Sequence, residues 1–351
     1  EGSGSVLATF GSNLPDVKIP ERTGYEFLGY YDGQNGTGNC YYSADGKGIG
    51  PWNKANDTTL YAYWIPRSFT LTFYANGGTV TPQSKTVTFG ETYGDLPVPI
   101  RSGYTFTGWF TAVDGSTEVN SSTFVSIAED HDIYAHWTAN TYTVIFHGNG
   151  AGVTGTMANQ SFTYDEEAKA LTANGFTRIG YSFDGWATSP TGAKVYDDQY
   201  IAGNLTPEKD GQYNLYAIWK ANTYIVRFHG NGEDVTGTMN DQSFTYDEGA
   251  KPLSTNGFTR IGYIFDGWAT SSTGDRVYSN SQSVQNLATE NEAVVNLYAK
   301  WIPGEGIVYT VNHLQQNVDN DEYTLVNTQE LTGTTGAATE ARTNSYTGFT
   351  A

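Results

Sequence analysis

A large aromatic ring close to a carboxylate, on a strand open to water, can hold a sugar. The ring stacks on the sugar's apolar face and the carboxylate accepts its hydroxyls. The chain offers this pairing in Gly180-Tyr181-Ser182-Phe183-Asp184-Gly185-Trp186 and again in Gly262-Tyr263-Ile264-Phe265-Asp266-Gly267-Trp268. A looser copy, Gly103–Trp109, ends on Trp109, and Gly24–Tyr30 has tyrosine in the tryptophan's place. Trp109, Trp186, Trp268, Asp184 and Asp266 are the candidate ligand-binding residues. Strand alternation puts Tyr181 and Phe183 on one face, assigned to the core, and Trp186 with Ser182 and Asp184 on the other. Two readings of the tryptophan follow. Either the strand is regular and Trp186 faces a ligand, or Gly185 marks a bulge that turns it into a core too small to spare it.

Other chemistry finds little support. His147 and His229 each precede a Gly-Asn-Gly turn, with no nucleophile in sequence reach. Metalloprotease, phosphate-loop and nucleophile-elbow patterns do not occur. The carboxylates Asp165-Glu166-Glu167 and Asp197-Asp198 make a poor glycosidase pair, because each repeat would need its own. Asn317–Glu322, "NVDNDE", lacks the glycine and distal glutamate of a calcium loop and reads as a hairpin turn. No catalytic residue, metal site or cofactor is expected, and the lone Cys40 reads as a bystander.

The elements that position these residues are strands. Aromatics make up 15% of the 351 residues, charged residues only 16%, and there are 41 glycines, a profile of strands and turns. The net charge of −19 is spread along the chain and excludes a nucleic-acid partner, which needs clustered Lys and Arg. No apolar run is long enough to span a bilayer, so no membrane insertion is expected. "EGSGSVLATFG" at the start has neither the basic segment nor the apolar run of a signal peptide.

The phrase recurs with a downstream closing strand, [L/I]-Y-A-x-W, at Leu60–Trp64, Ile133–Trp137, Leu215–Trp219 and Leu297–Trp301. The residue before the last tryptophan is Tyr63, His136, Ile218 or Lys300, so that position faces water and Trp64, Trp137, Trp219 and Trp301 face the core. Opening strands are expected at Phe69–Phe73, Tyr142–Phe146 and Tyr224–Phe228, each before an Asn-Gly turn, and second strands at Thr86–Phe89, Ser161–Tyr164 and Ser243–Tyr246. Tyr142, Val144 and Phe146 should be buried, as should Tyr224, Val226 and Phe228, opposite Arg227. "VLATFG" at Val6–Gly11 matches the second strand, so the first repeat is expected to be truncated. The expected domains are residues 1–66 (truncated repeat), 67–140, 141–222 and 223–303 (whole repeats), and 304–351 (a different strand-rich unit, cut short). Joints of a few residues predict a semi-stiff, monomeric tandem array.

The stretch "TYTVIFHGNG…QSFTYDEEAKAL…RIGYSFDGWATSPTGAKVY…LYAIW" resembles the Listeria–Bacteroides repeat, the internalin B-repeat family of bacterial surface proteins. The resemblance covers roughly residues 6–303. The tail from about Gly304 resembles repeats of mucin-binding-protein type. The resemblance implies an α+β, β-rich fold: an elongated array of β-grasp-like modules, each a twisted mixed sheet with one short helix, here over Asp165–Leu171 with Asp165 as N-cap. It also implies an extracellular, non-enzymatic stalk and adhesin on a bacterial cell surface, anchored outside these residues, with a host or microbial surface protein or glycan as partner. The alternatives are glycan-binding modules or an accessory region of a large secreted polysaccharide-degrading enzyme.

Overall fold

Residues 4–345 and 347 are described by a computed structural model. The chain forms two compact units. One comprises the residues up to Ile145 with Asn159–Leu171 and Ile201–Tyr213; the other comprises Phe146–Ala158, Thr172–Tyr200 and the residues from Asn214 onward.

In the first unit, the second repeat shows the plan. Its opening strand (Ser68–Tyr74) pairs antiparallel with the second strand (Ser84–Thr88) and parallel with the closing strand (His131–Ala139). The phrase strand (Tyr104–Phe110) lies antiparallel on the far side of the closing strand, followed by the short Glu118–Val119. Alternation decides what is buried: Leu71, Phe73, Ile133 and Ala135 point into one core with Val87, Tyr93 and Trp109. The first repeat keeps only a three-stranded sheet of Tyr25–Tyr31, Cys40–Tyr42 and Tyr61–Pro66. The second strand expected at Val6–Gly11 does not form, and Leu7 and Phe10 are exposed.

The fourth repeat, in the second unit, uses the same strand order. Thr223–His229 pairs with Gln242–Thr245 and, in parallel, with Ala293–Pro303, which in turn pairs with Tyr263–Ala269. Tyr224, Val226 and Phe228 are buried as alternation requires, and Arg227 is exposed. In the third repeat Thr141–His147 pairs antiparallel with Gln160–Thr163, and Tyr181–Ala187 antiparallel with Gly211–Ala221. Beyond it, Ile307–Gln316 and Tyr323–Gly333 form the expected hairpin, whose turn is closed by the Asn317 N–H on the Glu322 carbonyl (2.9 Å).

The mixed sheet is as expected; the helix is not. Asp165 has φ of 59°, outside helical space, and Asn204 Oδ1 holds its N–H at 2.7 Å. Past this turn Lys169–Ala170 pairs with Ile201–Ala202, as Lys251–Pro252 pairs with Ser283–Val284 in the fourth repeat. Strand pairing therefore captures the crossover, overriding the modest helix propensity of "DEEAKAL". The helical segment found among the described residues is a single 3-10 turn at Gln34–Gly36.

Candidate functional site

The bulge is real, and it overturns the exposed reading of the tryptophans. Pairing with the closing strand slips between Phe183 and Gly185 in the third repeat and between Phe265 and Gly267 in the fourth. Gly185 and Gly267 have φ of 142° and 146°, which a side chain rarely adopts. The extra residue puts Phe183 and Trp186 on the same face, 4.9 Å between ring centroids. Trp109, Trp186 and Trp268 are 2%, 0% and 0% exposed, so none presents a ring face to a ligand. Asp184 and Asp266 remain on the outer face, where they answer Lys194 (3.8 Å) and Arg276 (2.9 Å) rather than a tryptophan-lined site. The closing tryptophans pack against the core edge. Trp137, Trp219 and Trp301 donate Nε1–H to the Ala75, Gly148 and Gly230 carbonyls (2.8–2.9 Å).

The first half of the phrase does something alternation did not reveal. Tyr181 is not in the core; with Gly180 it forms the joint to the next repeat. At that joint Asn222 donates its N–H to the Gly180 carbonyl (2.9 Å) and accepts from the Tyr246 N–H (2.8 Å). The same ladder runs through Asn140 between Gly103 and Tyr164, through Arg67 between Gly24 and Phe89, and through Gly304 between Gly262 and Thr335. Gly103 and Gly180 have φ of 78° and 77°, and a Cβ on either would sit 2.2 Å from the ring of Tyr164 or Tyr246. Only glycine fits such a close approach.

Side chains lock the joint. Arg101 and Arg178 lie 3.6 and 3.7 Å over the rings of Tyr104 and Tyr181. Those tyrosines donate their hydroxyls across the joint to Asp165 (2.8 Å) and Asp247 (3.0 Å). The bond from Tyr104, then that from Asn204, holds the Asp165 carboxyl below its ordinary value; the same bond raises Tyr104. The buried amides are satisfied too: Asn140 bonds Pro207 and Thr105, and Asn222 bonds Thr289 and Ser182. The signal in the sequence was the unvarying Arg-x-Gly-Tyr beside joints of a few residues.

On the outer face His147 and His229 stack on Tyr216 and Tyr298 (4.5 and 4.7 Å) and bond Asn214 and Asn296. Cys40 donates to the Tyr42 carbonyl (3.1 Å). Among the described residues no group of three or more metal-ligating side chains converges.

Residues 1–63, 69–136, 142–217 and 224–300 each match the Listeria-Bacteroides repeat domain. The chain belongs to that family. Listeria-Bacteroides repeats thus account for all four phrases, and the tail lies outside the match. The chain is 27% identical over 299 residues to a protein of Evansella cellulosilytica whose name calls it a membrane protein, covering 84% of this chain and 41% of that one. It is 32% identical over 145 residues to Internalin H of Listeria monocytogenes, covering 40% of this chain and 25% of the internalin. The chain thus spans less than half the length of these relatives. Among the described residues no helix is long and apolar enough to cross a membrane.

Proposed function

We propose that this repeat region is the non-enzymatic spacer of a bacterial cell-surface protein, with adhesion as a second role. The observation that supports it is the joint. One backbone ladder, one glycine and one aromatic ring fix each repeat to the next, which suits a spacer and leaves chemistry to other domains. Family membership and the internalin relative support the surface location. The parallel central pair in a mixed sheet supports β-grasp-like kinship, without the helix, and the units of the proposal are the repeats bounded near residues 66, 140, 222 and 303.

Antibody raised against residues 67–303 should label intact cells of the producing organism, and protease added outside should remove the label. Labelling only after lysis would sink the surface reading. Deleting residues 141–222 in the full-length protein should shorten the reach of whatever lies beyond, read as lost cell adhesion restored by any other whole repeat. The purified chain should hydrolyse no polysaccharide; turnover would favour an enzyme region instead.

A further inference from the structure

The fourth repeat shares the Arg-over-Tyr stack of the second and third but differs from the third at Glu233, Asp234 and Lys300. A cleft of about 470 Å³ opens between its first turn and its closing strand, lined by Glu233, Asp234, Arg260, Ser272, Lys300 and Trp301 among others. Arg260 lies 3.9 Å over the ring of Tyr263, and its Nε is shut off from solvent without an acceptor. Among the described residues its guanidinium forms no ion pair, whereas Arg227 and Arg276 are spent on Asp241 and Asp266. Stacking fixes the plane of the fork, so it meets a planar carboxylate with little entropy left to lose.

Lys300 adds a second positive charge. It stands where the second repeat has His136, bonded to the Ala112 carbonyl, and where the third has Ile218. Its Nζ bonds the Gly274 carbonyl (3.1 Å) and lies 3.9 Å from the fully exposed Asp275, which leaves it only weakly neutralised. The turn is also peculiar to this repeat: Glu233 and Asp234 replace Ala151 and Gly152, and both are exposed. The two carboxylates repel a densely anionic chain, while the two cations attract a single carboxylate. They suit a molecule with one carboxylate and several hydroxyls, which the acidic side chains accept.

We propose that this cleft binds a sugar acid, a uronic acid residue of an extracellular polysaccharide. The site rests on Arg260 and Lys300 and goes beyond the spacer reading, which needs no ligand. Its failure would leave the surface-labelling result untouched.

The test is a titration of the full chain with glucuronic acid, followed by the amide, Trp301 indole and Arg260 Nε–H resonances. Saturable shifts confined to the fourth repeat are expected, with none for glucose or the methyl ester of glucuronic acid. Lys300→Ile, which installs the third repeat's own residue, and Arg260→Lys, which keeps the charge but loses the fork, should each weaken binding by roughly tenfold. Arg178→Lys in the third repeat should leave the response to glucuronic acid unchanged. Equal response to glucose, stronger shifts with inorganic sulfate, or binding that survives both variants would overturn the proposal.

Discussion

The second and fourth repeats build the same sheet around the same tryptophan, yet they treat it differently. Trp109 donates its indole N–H to the Pro97 carbonyl at 2.9 Å, while Trp268, wholly buried, finds no acceptor. The cause is the crossover. In the second repeat the crossover pairs earlier, Thr92 with Phe124, and the Pro97 carbonyl beyond it meets the indole. In the fourth, Lys251–Pro252 is drawn into a short ladder with Ser283–Val284, and the Pro252 carbonyl accepts from Gln242. The fourth repeat thus leaves one buried donor orphaned, at a cost of about 1–3 kcal/mol. Hydrophobic packing, not the indole's hydrogen bond, therefore fixes this residue in these repeats.

The bulge glycines should separate the two repeats most. A Cβ at Gly267 would meet the Tyr278 carbonyl at 2.4 Å, a backbone atom that cannot turn aside. At Gly108 the nearest atoms belong to the Phe110 and Glu118 side chains, at 3.2 Å and beyond. Gly267→Ala should cost about 3 kcal/mol or more, and Gly108→Ala only about 1–2 kcal/mol for backbone strain. Hydrogen exchange of core amides in each repeat reads this locally, as required for a chain of several units. Equal costs would mean that φ, not the carbonyl, sets the price.

The joints come next. The second repeat abuts the Tyr164 ring of another repeat; the fourth abuts the Thr335 side chain of the tail, 2.6 Å from a Cβ placed on Gly262. Threonine can rotate away and a packed ring cannot. Gly103→Ala should therefore loosen its joint, exposing the stretch around Asn140 to protease, by about 2 kcal/mol more than Gly262→Ala disturbs the tail. Trp→Phe follows. Trp109→Phe strands the Pro97 carbonyl, while Trp268→Phe removes an orphan, so the first should be costlier by about 1–2 kcal/mol. If Trp268→Phe proves the costlier, a bound water must be serving its N–H.

Much of this was legible in residue order, and the rest failed for identifiable reasons. Arg227 opposite Tyr224, Val226 and Phe228 fixed the buried face, because a charge marks the wet side of a strand. Alternation could only pose the bulge question, since one inserted residue changes the face of Trp186 without changing composition. Tyr181 was misassigned to the core because its partner, Asp247, lies 66 residues away in the next repeat. The helix at Asp165–Leu171 was an implication of the family resemblance, and pairing with residues some thirty positions away replaced it with a turn and a short strand. The cleft beside Lys300 was invisible, as its walls come from separate stretches of chain.

The smallest effect concerns pH, at the joint where the second repeat meets the third. Tyr104 bonds Asp165 with Arg101 nearby, and the Asp165 carboxyl is held below its ordinary 3.8. A depressed carboxylate stabilises the fold at all pH values above the unfolded value, and that contribution disappears as pH falls through the folded value. Tyr104, raised above 10.0 by the same bond, contributes below its unfolded value and loses its share as pH climbs through the folded one. The joint should therefore hold across neutral pH and loosen at both extremes. Tyr104→Phe should flatten both limbs of a protease-sensitivity profile around residues 138–141 while leaving the core of each repeat intact. Because both groups face solvent, the change is small. A Tyr104→Phe profile identical to the parent's would show that the glycine socket and backbone ladder alone hold the joint.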